Sequence, residues 1–513
     1  MNVADYLLAH AAPEKIALIT EQETYTYADV IAAADGVAHT LRDLGVQKGD
    51  RVGIFADNSL FWVASYIGVL KVGAVALPFY PTLEPEQFAA LIALTEPVAF
   101  CVTERYLRKY AGQYPEGVAL IVESDDVAAR HGGRFRAAVH RPGGPVESTP
   151  VDDRADLAAL MFTSGSTGTP RAVMVSHRNI IANTDSIIEY LELDADERIM
   201  DVLPFYYCFG TSLLHTHFRV GGSVVVNNRF AFPKLVLDQM EETGCTGIAG
   251  VPSTYQILLR NSNFPERTFP KLRKIQQAGG KLPNVFIEEL RRAHPYADYY
   301  LMYGQTEATA RLSYLPPQLL DTKLGSIGRG MPGVDLQVLD QEGNPVPPGV
   351  TGEIVARGDN ITLGYWRDPK ATAQSFRDGA LWTGDLAQVD EDGFIFVVDR
   401  AKDFIKPSGH RVGSKQIENH LVELSEVVEA AVIGVPDDVM GEAVKAFIVL
   451  RRGADIDVED VMAHCKRVMA PYMVPREIVV LNALPKNASG KVDKTALRDP
   501  EFTTKLKPVT ARI

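Results

Sequence analysis

The sequence predicts an α/β protein with a large N-terminal domain and a small α+β C-terminal domain. Up to residue 399, short β-branched apolar runs alternate with helical patterns, which is typical of mostly parallel sheets. Residues 334–355 then alternate as strands with Gly/Pro turns, which indicates a small β subdomain. From residue 400 a separate set of strands and one amphipathic helix follows. We therefore predict domains at residues 1–399 and 400–513, joined by a short polar segment where a hinge would lie.

The strands of the first domain are predicted from buried apolar runs at residues 52–55, 74–77, 99–102, 119–122, 158–162, 223–226 and 247–251. A longer apolar stretch at residues 61–81 contains Lys71, several glycines and a proline, which favours a buried helix followed by a strand over a membrane span. The second domain is predicted to contain strands at residues 427–433, 446–450 and 477–481 and a helix at residues 458–469. Val461, Cys465 and Met469 share one face of that helix.

Bulk composition narrows the class of protein. A chain of 513 residues is too long for one core, and a net charge of -13 argues against nucleic acid as the main partner. The four cysteines show no metal-binding spacing, so free thiols in a reducing compartment are expected. Because the first residues lack a signal peptide and the last ones a peroxisomal address, we expect a cytoplasmic location.

The most informative segment is MFTSGSTGTP at residues 161–170, followed by Arg171. Glycines let a backbone approach a ligand closely, and consecutive N–H groups can cradle phosphate oxygens. Hydroxyl groups and the Arg171 guanidinium add donors and charge. A flexible Ser/Gly linker is the alternative, but the flanks are predicted to be structured, with a strand before the loop and a helix capped by Ser176 after it. Strand, loop, short strand and capped helix indicate a phosphate site.

Two commoner phosphate motifs are excluded. The loop lacks the Gly-Lys-Ser/Thr ending of a P-loop. A dinucleotide fingerprint occurs at residues 328–333, but it runs into residues 334–339, which alternate as a strand. Without a helix after it, we interpret this match as a turn.

Further motifs follow in order along the chain, and each alone is weak. They are YGQTE at residues 303–307, GEIVARG at 352–358, GYW at 364–366, WTGD at 382–385, DRAK at 399–402 and LPKNASGKVD at 484–493. Together with the loop, they closely resemble the adenylate-forming superfamily of acyl-CoA synthetases, peptide-synthetase adenylation domains and luciferases. The resemblance covers residues 25–494 and is closest in look to stand-alone fatty- or aryl-acid AMP ligases.

The resemblance implies stacked α/β subdomains, a small β-barrel subdomain and a mobile C-terminal domain. It implies that ATP activates a carboxylic acid as an acyl-adenylate, with release of pyrophosphate, and that the acyl group then passes to a thiol. Two anions must meet in this reaction, so placed cations and N–H donors are needed to offset their repulsion. A protein nucleophile is not required.

The resemblance also assigns a nucleotide site. Its members would be the phosphate-binding Thr163, Ser164, Gly165, Ser166, Thr167 and Gly168, the adenine-side Ala278, Gly279, Gly280, Tyr303, Gly304 and Thr306, and the ribose-side Asp385 and Arg400. Glu307 and Thr167 would bind Mg²⁺, a hard cation that prefers oxygen ligands. Each has an ordinary alternative: a first-turn carboxylate for Glu307, a loop glycine pair at 279–280, a turn cap for Asp385 and a surface ion pair for Arg400.

Catalysis is assigned to Lys491, Glu307 and Arg171. Lys491 would bridge the substrate carboxylate and the α-phosphate, although a lone C-terminal lysine is ordinarily solvated. Lys402 would be the hinge about which the small domain swings after adenylation. The resemblance then places Lys406 and Gly409 on the thiol channel, and an acyl pocket and gate at Tyr206, Tyr207, Gly210, Thr211, Val251 and Ser253.

Five residues depart from the family pattern, among them Ala172, where glycine is usual, and Ser414, where proline is common. Arg171 stands where lysine is usual, which keeps the charge but offers a planar fork. Tyr207 stands where the family often has a gating histidine, and a tyrosine cannot become cationic near neutral pH. Gln416 replaces a usual glutamate. These departures leave adenylation intact in principle and bear on details of the second step.

Tyr206 and Tyr207 also bear on the substrate, because peptide-synthetase domains use an aspartate near this point to hold an α-ammonium group. An α-amino acid is therefore disfavoured, and the apolar and aromatic pocket segments suit a fatty or aryl acid. Arg311 has two interpretations, contact with a polar substrate tail or a surface ion pair.

The thiol acceptor is expected from outside, because no carrier domain follows the lysine motif. Coenzyme A is favoured, and the phosphopantetheine of a separate acyl carrier protein is the alternative. A luciferase-like oxygenase and a non-catalytic binder are less favoured; the intact Glu307, Asp385, Arg400 and Lys491 argue against the binder. Monomer and homodimer both remain open.

Overall fold

The computed structural model describes residues 1–131, 135–137, 143–163, 171–400, 404–407, 410, 412–437, 441–487 and 490–499. For residues 135–137, 399 and 400 the description is limited to the backbone. Within these ranges, none of the helices has the length and apolar character needed to cross a bilayer.

The strands, numbered along the chain, are β1 (Ile16–Ile19), β2 (Thr24–Thr26), β3 (Arg51–Phe55), β4 (Val75–Pro78), β5 (Ala99–Val102), β6 (Ala119–Val122), β7 (Phe135–Ala137), β8 (Leu157–Thr163), β9 (Arg171–Ser176), β10 (Arg198–Asp201), β11 (Ser223–Val226), β12 (Gly247–Gly250), β13 (Lys274–Gln277), β14 (Asp298–Tyr303), β15 (Ser313–Leu315), β16 (Arg329–Gly330), β17 (Asp335–Leu339), β18 (Gly352–Arg357), β19 (Phe376–Arg377), β20 (Ala380–Val389), β21 (Ile395–Arg400), β22 (Phe404–Ile405), β23 (Val412–Gly413), β24 (Val427–Asp437), β25 (Gly441–Leu450) and β26 (Glu477–Leu481).

The α-helices are α1 (Val3–Leu8), α2 (Tyr27–Asp43), α3 (Leu60–Lys71), α4 (Pro85–Thr95), α5 (Glu104–Lys109), α6 (Asp125–His131), α7 (His177–Leu191), α8 (Cys208–Val220), α9 (Pro233–Thr243), α10 (Pro252–Arg260), α11 (Asn284–Ala293), α12 (Pro369–Ser375), α13 (Ser414–Leu421), α14 (Val458–Val468) and α15 (Lys494–Arg498). Short 3-10 turns lie at Phe264–Glu266, Thr306–Ala308, Pro317–Leu319 and Pro471–Met473.

Two large, mostly parallel sheets organise the described part of the chain before residue 331. One has the order β7-β6-β5-β3-β4-β8-β9, and the other the order β16-β15-β14-β13-β12-β10-β11-β1-β2. Antiparallel pairs occur at their ends, where β9 pairs with β8, β2 with β1, and β15 with β14 and β16. The predicted α/β class is therefore confirmed, and each apolar run assigned as a strand lies in one of these sheets.

The apolar stretch at residues 61–81 forms α3 followed by β4, as predicted. All residues of α3 are buried, so this helix lies inside the protein and has no polar face. Its last residue, Lys71, places its ammonium 2.5 Å from the carboxylate of Asp35 on α2. A buried lysine at this position is tolerated because it is paired.

The β subdomain extends from β17 to β21 and is therefore larger than the segment predicted at residues 334–355. Its described strands pair antiparallel in the order β17-β18-β20-β19, with β21 on β20. Among the described residues they form an open sheet with β17 at one edge, where the resemblance implied a barrel. The fingerprint match at residues 328–333 forms β16 and a turn before β17, which confirms that it is not a dinucleotide site.

The remaining unit contains the sheet β24-β25-β26, the β22-β23 hairpin and helices α13 to α15. The predicted helix at residues 458–469 is α14, with Val461 and Cys465 buried on its inner face. The proposed boundary between residues 399 and 400 coincides with the end of β21 and stays a prediction, since residues 401–403 lie outside the described ranges.

This unit is docked on the second large sheet through the end of α10. The Arg260 guanidinium donates to the carbonyls of Val422 (3.1 Å), Leu424 (3.0 Å) and Val427, and it pairs with Glu289 at 2.8 Å. The Arg260 guanidinium therefore satisfies three backbone carbonyls that follow α13. These hydrogen bonds hold the C-terminal unit against the end of α10.

Candidate active site

The predicted site residues converge at the carboxyl edge of the second large sheet. β10, β12, β13 and β14 are parallel neighbours, so the segments that follow them meet at one edge. These segments carry Tyr206 and Tyr207, Val251 and Ser253, the 278–280 turn, and the stretch from Gly304 to Glu307. Ligands of open α/β sheets bind outside the carboxyl ends of the strands, which is where these residues lie.

Lys491 reaches this edge from the C-terminal unit on a tight turn. Asn487 holds the turn closed: its side-chain oxygen accepts from the Lys491 N–H at 3.1 Å, and its own N–H donates to the Lys491 carbonyl at 2.8 Å. The Ser253 hydroxyl donates to the Gly490 carbonyl at 3.1 Å, which docks the turn on the start of α10. The Lys491 ammonium then lies 5.5 Å from the centroid of the Tyr207 ring.

Gly279 leaves the space into which this lysine extends. Its φ of +87° is in the region that favours glycine. A Cβ at this position would lie 2.9 Å from Val251 Cγ1, 3.3 Å from Tyr207 Oη and 3.4 Å from Lys491 Cε. Val251, Tyr207 and Lys491 thus surround Gly279, although they were predicted separately from two other loops and the far unit.

Asp385 and Tyr303 form the ribose-side pair of the predicted site. The Tyr303 hydroxyl donates to Asp385 Oδ2 at 2.7 Å, and the Asp385 side chain is buried. Asp385 of β20 lies opposite Arg400 of β21 in the antiparallel register, so the two predicted ribose residues are cross-strand neighbours. The phenol orients the carboxylate, a contact that motif reasoning missed when it assigned Tyr303 only to the adenine.

Glu307 lies in the short turn Thr306–Ala308 and is held from two sides. Its Oε1 accepts from the Tyr365 hydroxyl at 2.8 Å, and its carbonyl accepts from the Thr362 N–H and hydroxyl at 3.0 and 2.9 Å. Two residues on, Thr309 adopts φ +65°, which is unusual for a β-branched residue, and its hydroxyl donates to the Asn360 carbonyl at 2.7 Å. The 360–365 segment thus fixes the direction of the Glu307 carboxylate.

Arg171 lies beside the aromatic ring of Tyr365. Its guanidinium carbon is 5.1 Å from the centroid of the Tyr365 ring, and its Nε is 3.8 Å from the carboxylate of Asp368. Burial, together with the charge of Glu307, raises the pKa of the Tyr365 phenol, so it remains a hydrogen-bond donor at neutral pH. Tyr365 therefore connects the cation at the end of the loop to the proposed metal-binding carboxylate. The GYW motif contained it, but no role could be assigned from the sequence.

Tyr365→Phe is expected to lower kcat/KM for acid-dependent pyrophosphate–ATP exchange about tenfold, the scale of one hydrogen bond to a charged group. The Mg²⁺ concentration for half-maximal rate should rise as well, because the Glu307 carboxylate loses its orienting donor. Tyr25→Phe is a matched control, since Tyr25 also donates to a glutamate, Glu23, but lies on the edge strand β2. Unchanged kcat/KM and Mg²⁺ dependence in Tyr365→Phe would remove Tyr365 from the site.

The phosphate loop itself lies mostly outside the described residues. Thr163 ends β8 and pairs with Arg171 at the start of β9, while Ser164, Gly165, Ser166, Thr167 and Gly168 are not described. Ser176 caps α7 as predicted, through reciprocal hydrogen bonds with Asn179 at 3.2 and 2.9 Å. Because β9 runs antiparallel to β8, the start of α7 lies about 17 Å along the strand from Arg171, five steps of about 3.4 Å. The assignment of the loop to phosphate binding stays a prediction.

The acyl-gate residues lie around the start of α8. Tyr207 precedes this helix, and the Thr211 hydroxyl donates to the Tyr207 carbonyl at 3.2 Å. Gly210 is required by packing, because a Cβ there would lie 2.4 Å from the Pro204 carbonyl oxygen. The Tyr206 ring lies 6.2 Å from the ring of Tyr80. Burial raises the pKa of the Tyr207 phenol although the Lys491 ammonium opposes this, so Tyr207 stays neutral.

The remaining predicted residues are placed as follows. Lys406 donates its backbone N–H to the Glu442 carboxylate at 2.6 Å within the C-terminal unit. Lys402 and Gly409 lie outside the described ranges. The surface ion pair considered for Arg311 is wrong, because this residue is 1% exposed.

Comparison with known proteins identifies the family. A model described as AMP-binding enzyme matches residues 8–366, and one described as AMP-binding enzyme C-terminal domain matches residues 416–491. The chain belongs to the AMP-binding enzyme family, which confirms the resemblance drawn from its motifs.

Relatives span nearly the whole chain. It is 32% identical over 502 residues to a feruloyl-CoA synthase of Amycolatopsis sp, with 96% of each protein covered. It is 29% identical over 523 residues to a long-chain-fatty-acid–CoA ligase of Bacillus subtilis, covering 95% of this chain and 92% of that protein.

Solved structures agree in fold. An anthranilate CoA ligase in complex with anthranoyl-AMP has a TM-score of 0.85 at 27% identity, with 97% of this chain and 96% of that chain covered. An o-succinylbenzoate CoA synthetase of Bacillus subtilis with its acyl-adenylate intermediate has a TM-score of 0.84 at 28% identity, with 96% and 98% covered. The protein is accordingly an enzyme, an AMP-forming acid–thiol ligase that activates a carboxylic acid with ATP.

Proposed function

We propose that the structure represents the adenylating arrangement of this ligase, with Lys491 bridging the acid carboxylate and the α-phosphate of ATP. The observation that carries the proposal is the docking of the Lys491 turn on Ser253, which sets the ammonium over Tyr207 and against Gly279. A solvated lysine would point away from the protein, whereas Lys491 extends to the carboxyl edge of the second large sheet.

The chemistry gives each cation a role. A carboxylate oxygen attacks the α-phosphorus, the bond from that phosphorus to the bridging oxygen breaks, and pyrophosphate leaves. Negative charge accumulates on the transferring phosphoryl group, and donors fixed in a water-poor cleft stabilise it most effectively. Lys491 would act on the carboxylate and α-phosphate, whereas Arg171, at the end of the loop, would act on the leaving pyrophosphate.

Glu307 would hold Mg²⁺. Its carboxylate is oriented by Tyr365, and Mg²⁺ is commonly bound by one or two carboxylates together with substrate phosphates and water. Among the described residues there is no cluster of three or more acidic, histidine or cysteine ligands, which fits a site completed by the nucleotide. The ion would neutralise phosphate charge when bound.

The acid is proposed to be a fatty or aryl acid, and coenzyme A the acceptor. Tyr206, Tyr207, Phe209 and Val251 give the pocket segments an aromatic and apolar character. The named activities of the relatives, on feruloyl and long-chain fatty acids, support the same class. Transfer to the thiol requires Lys491 to withdraw, and Lys402, at the junction between the units, remains the proposed hinge. A separate acyl carrier protein is the alternative acceptor.

A pyrophosphate–ATP exchange assay over aliphatic, aryl and α-amino acids tests the proposal. We expect exchange with fatty or aryl acids and none with α-amino acids, because Tyr206 and Tyr207 provide no carboxylate for an ammonium group. Products are then followed with coenzyme A and, separately, with a phosphopantetheinylated carrier protein. Exchange with α-amino acids alone would contradict the assigned acid class, and thioester formed only on the carrier would favour the alternative acceptor.

Asp385→Ala is expected to weaken ATP binding by about 10- to 100-fold, because a buried carboxylate that accepts from two ribose hydroxyls is worth a few kcal/mol. The rate at saturating ATP should change less. Calorimetric titration with ATP measures the loss, and Asp335→Ala, an exposed aspartate on β17 of the same sheet, is the control. An unchanged ATP affinity in Asp385→Ala would contradict the ribose assignment.

A further inference from the structure

Arg311 is a buried cation for which the described residues provide no counter-ion. It is 1% exposed, and its Nε donates to the Tyr190 hydroxyl at 3.2 Å. Its guanidinium carbon lies 4.5 Å from the centroid of the Phe209 ring. Within the described part of the chain, Nη2 is buried without a hydrogen-bond partner. No carboxylate of that part forms an ion pair with Arg311.

Such an arrangement is costly unless something else completes it. A guanidinium does not lose its proton in a protein, so Arg311 stays charged in its buried position. An unpaired buried charge destabilises a fold by several kcal/mol, and a neutral side chain of similar size would pack against Phe209 without that penalty. An oxygen acceptor beyond the described residues, such as a bound substrate, would complete this arrangement.

The guanidinium is held in a defined position. Its carbonyl accepts from the side-chain amides of Asn183 at 3.1 Å and Asn360 at 2.8 Å, which fixes the backbone. Tyr190, which accepts from Nε, is itself stacked on Tyr314 with ring centroids 4.1 Å apart. Arg311 thus has the rigid support expected of a recognition residue.

Its position is beside the acid gate. Phe209, on which the guanidinium stacks, is in the first turn of α8, immediately after Tyr207 and Cys208. The charge of Arg311 acts to lower the pKa values of both Tyr207 and Cys208 against the larger effect of burial, so it is within electrostatic reach of the pocket residues that Lys491 covers. Lys491 and Arg311 are thus two cations that both act on Tyr207 and Cys208 at the start of α8.

We propose that Arg311 binds an oxygen acceptor of the acid substrate other than the carboxylate held by Lys491, and that the preferred acids carry a second carboxylate or a hydroxyl for this contact. This inference rests on the proposed adenylation at Lys491. It narrows the fatty or aryl class to members whose tail is not purely apolar. Nη2 supplies the unused donor, and a planar guanidinium suits a carboxylate in particular.

Matched pairs of acids test it by pyrophosphate exchange. Heptanoate is compared with heptanedioate, and cinnamate with 4-hydroxycinnamate, so each pair differs in one terminal oxygen function. We expect the wild-type enzyme to favour the oxygen-bearing member of at least one pair by about tenfold or more in kcat/KM, the discrimination typical of a buried donor left unpaired by the wrong substrate. The responding pair separates a carboxylate tail from a hydroxyl tail.

Arg311→Met should abolish that preference, lowering kcat/KM for the oxygen-bearing acid by about 10- to 100-fold while the apolar partner changes by less than about threefold. Arg311→Lys, which keeps the charge, should retain part of the preference. Thermal melting and ATP titration verify that each variant is folded. Equal losses for both members of a pair would show a structural role and overturn the proposal.

The wild-type enzyme alone also decides the matter if the variants fail to fold. Exchange with heptanoate and cinnamate but no preference for their oxygen-bearing partners would overturn the Arg311 assignment and leave adenylation intact. Absence of exchange with every acid, by contrast, would refute the proposed function itself.

Discussion

Lys491→Ala is expected to lower acid-dependent pyrophosphate–ATP exchange by about 100-fold or more, the scale seen when one preorganised donor to a transition state is removed. Thioester formation from supplied acyl-adenylate and coenzyme A should change by less than about threefold, within the scatter expected for a side chain uninvolved in the second step. The reason is positional, since the ammonium is held over Tyr207 only while the 487–491 turn is docked on Ser253. The two half-reactions are measured separately, by exchange and by thioester formation.

Lys466→Ala is the control for this variant. Lys466 lies in the last turn of α14, in the same unit, and is exposed. Its removal should leave both half-reactions unchanged. If Lys491→Ala impaired both half-reactions to the same extent, the lysine would not be specific to adenylation, and the assignment of this structure to the adenylating arrangement would fail.

Glu307→Gln is expected to lower exchange by about 100-fold and to shift its Mg²⁺ dependence to higher concentration, because the change removes a metal-binding charge with little change in shape. The Tyr365 hydroxyl can still donate to the amide oxygen, so the turn at Thr306–Ala308 should keep its conformation. Steady-state exchange at a series of Mg²⁺ concentrations measures the effect, with a melting curve to verify folding.

Glu391→Gln removes an exposed carboxylate from the β20–β21 turn and serves as the control. Wild-type exchange and an unaltered Mg²⁺ requirement in Glu307→Gln would mean that Glu307 is the ordinary first-turn carboxylate considered at the outset. In that case no carboxylate among the described residues would remain assigned to Mg²⁺.

The elements that could be predicted from the sequence are those determined by local pattern. The buried strand at β8, the helix after Ser176 and the helix–strand pair at residues 61–81 each follow from hydrophobic periodicity and capping, which act within a few residues. The order of the short motifs identified the family and with it most candidate site residues. That these residues share one site was predicted from the family resemblance and not from any local sequence pattern.

The contacts that were missed join residues far apart in the chain. The hydrogen bonds from Tyr365 to Glu307 and from Tyr303 to Asp385 depend on how the β subdomain packs on the second sheet, and no residue pattern encodes that packing. The direction of β9 relative to β8 could not be predicted from the sequence either. A short strand after a loop can return antiparallel or cross over, and β9 returns, which places the start of α7 at the opposite end of the strand from Arg171.

The burial of Arg311 could not be predicted from the sequence either. Four residues after Glu307, a single arginine among small residues is compatible with either a surface or a pocket, and an arginine is usually exposed. Only the stacking on Phe209 and the hydrogen bond to Tyr190 show that it is inside. Its buried charge is the observation from which the proposed contact with the substrate is inferred.

The central claim is that the acid carboxylate attacks the α-phosphorus of ATP in the site closed by Lys491, and oxygen transfer tests it most directly. The enzyme is incubated with ATP, Mg²⁺, coenzyme A and an accepted acid whose carboxylate carries ¹⁸O, and the products are analysed by mass spectrometry. The account predicts one ¹⁸O atom in AMP and none in pyrophosphate for each thioester formed. Formation of ADP with ¹⁸O in orthophosphate would show attack on the γ-phosphorus and would contradict it.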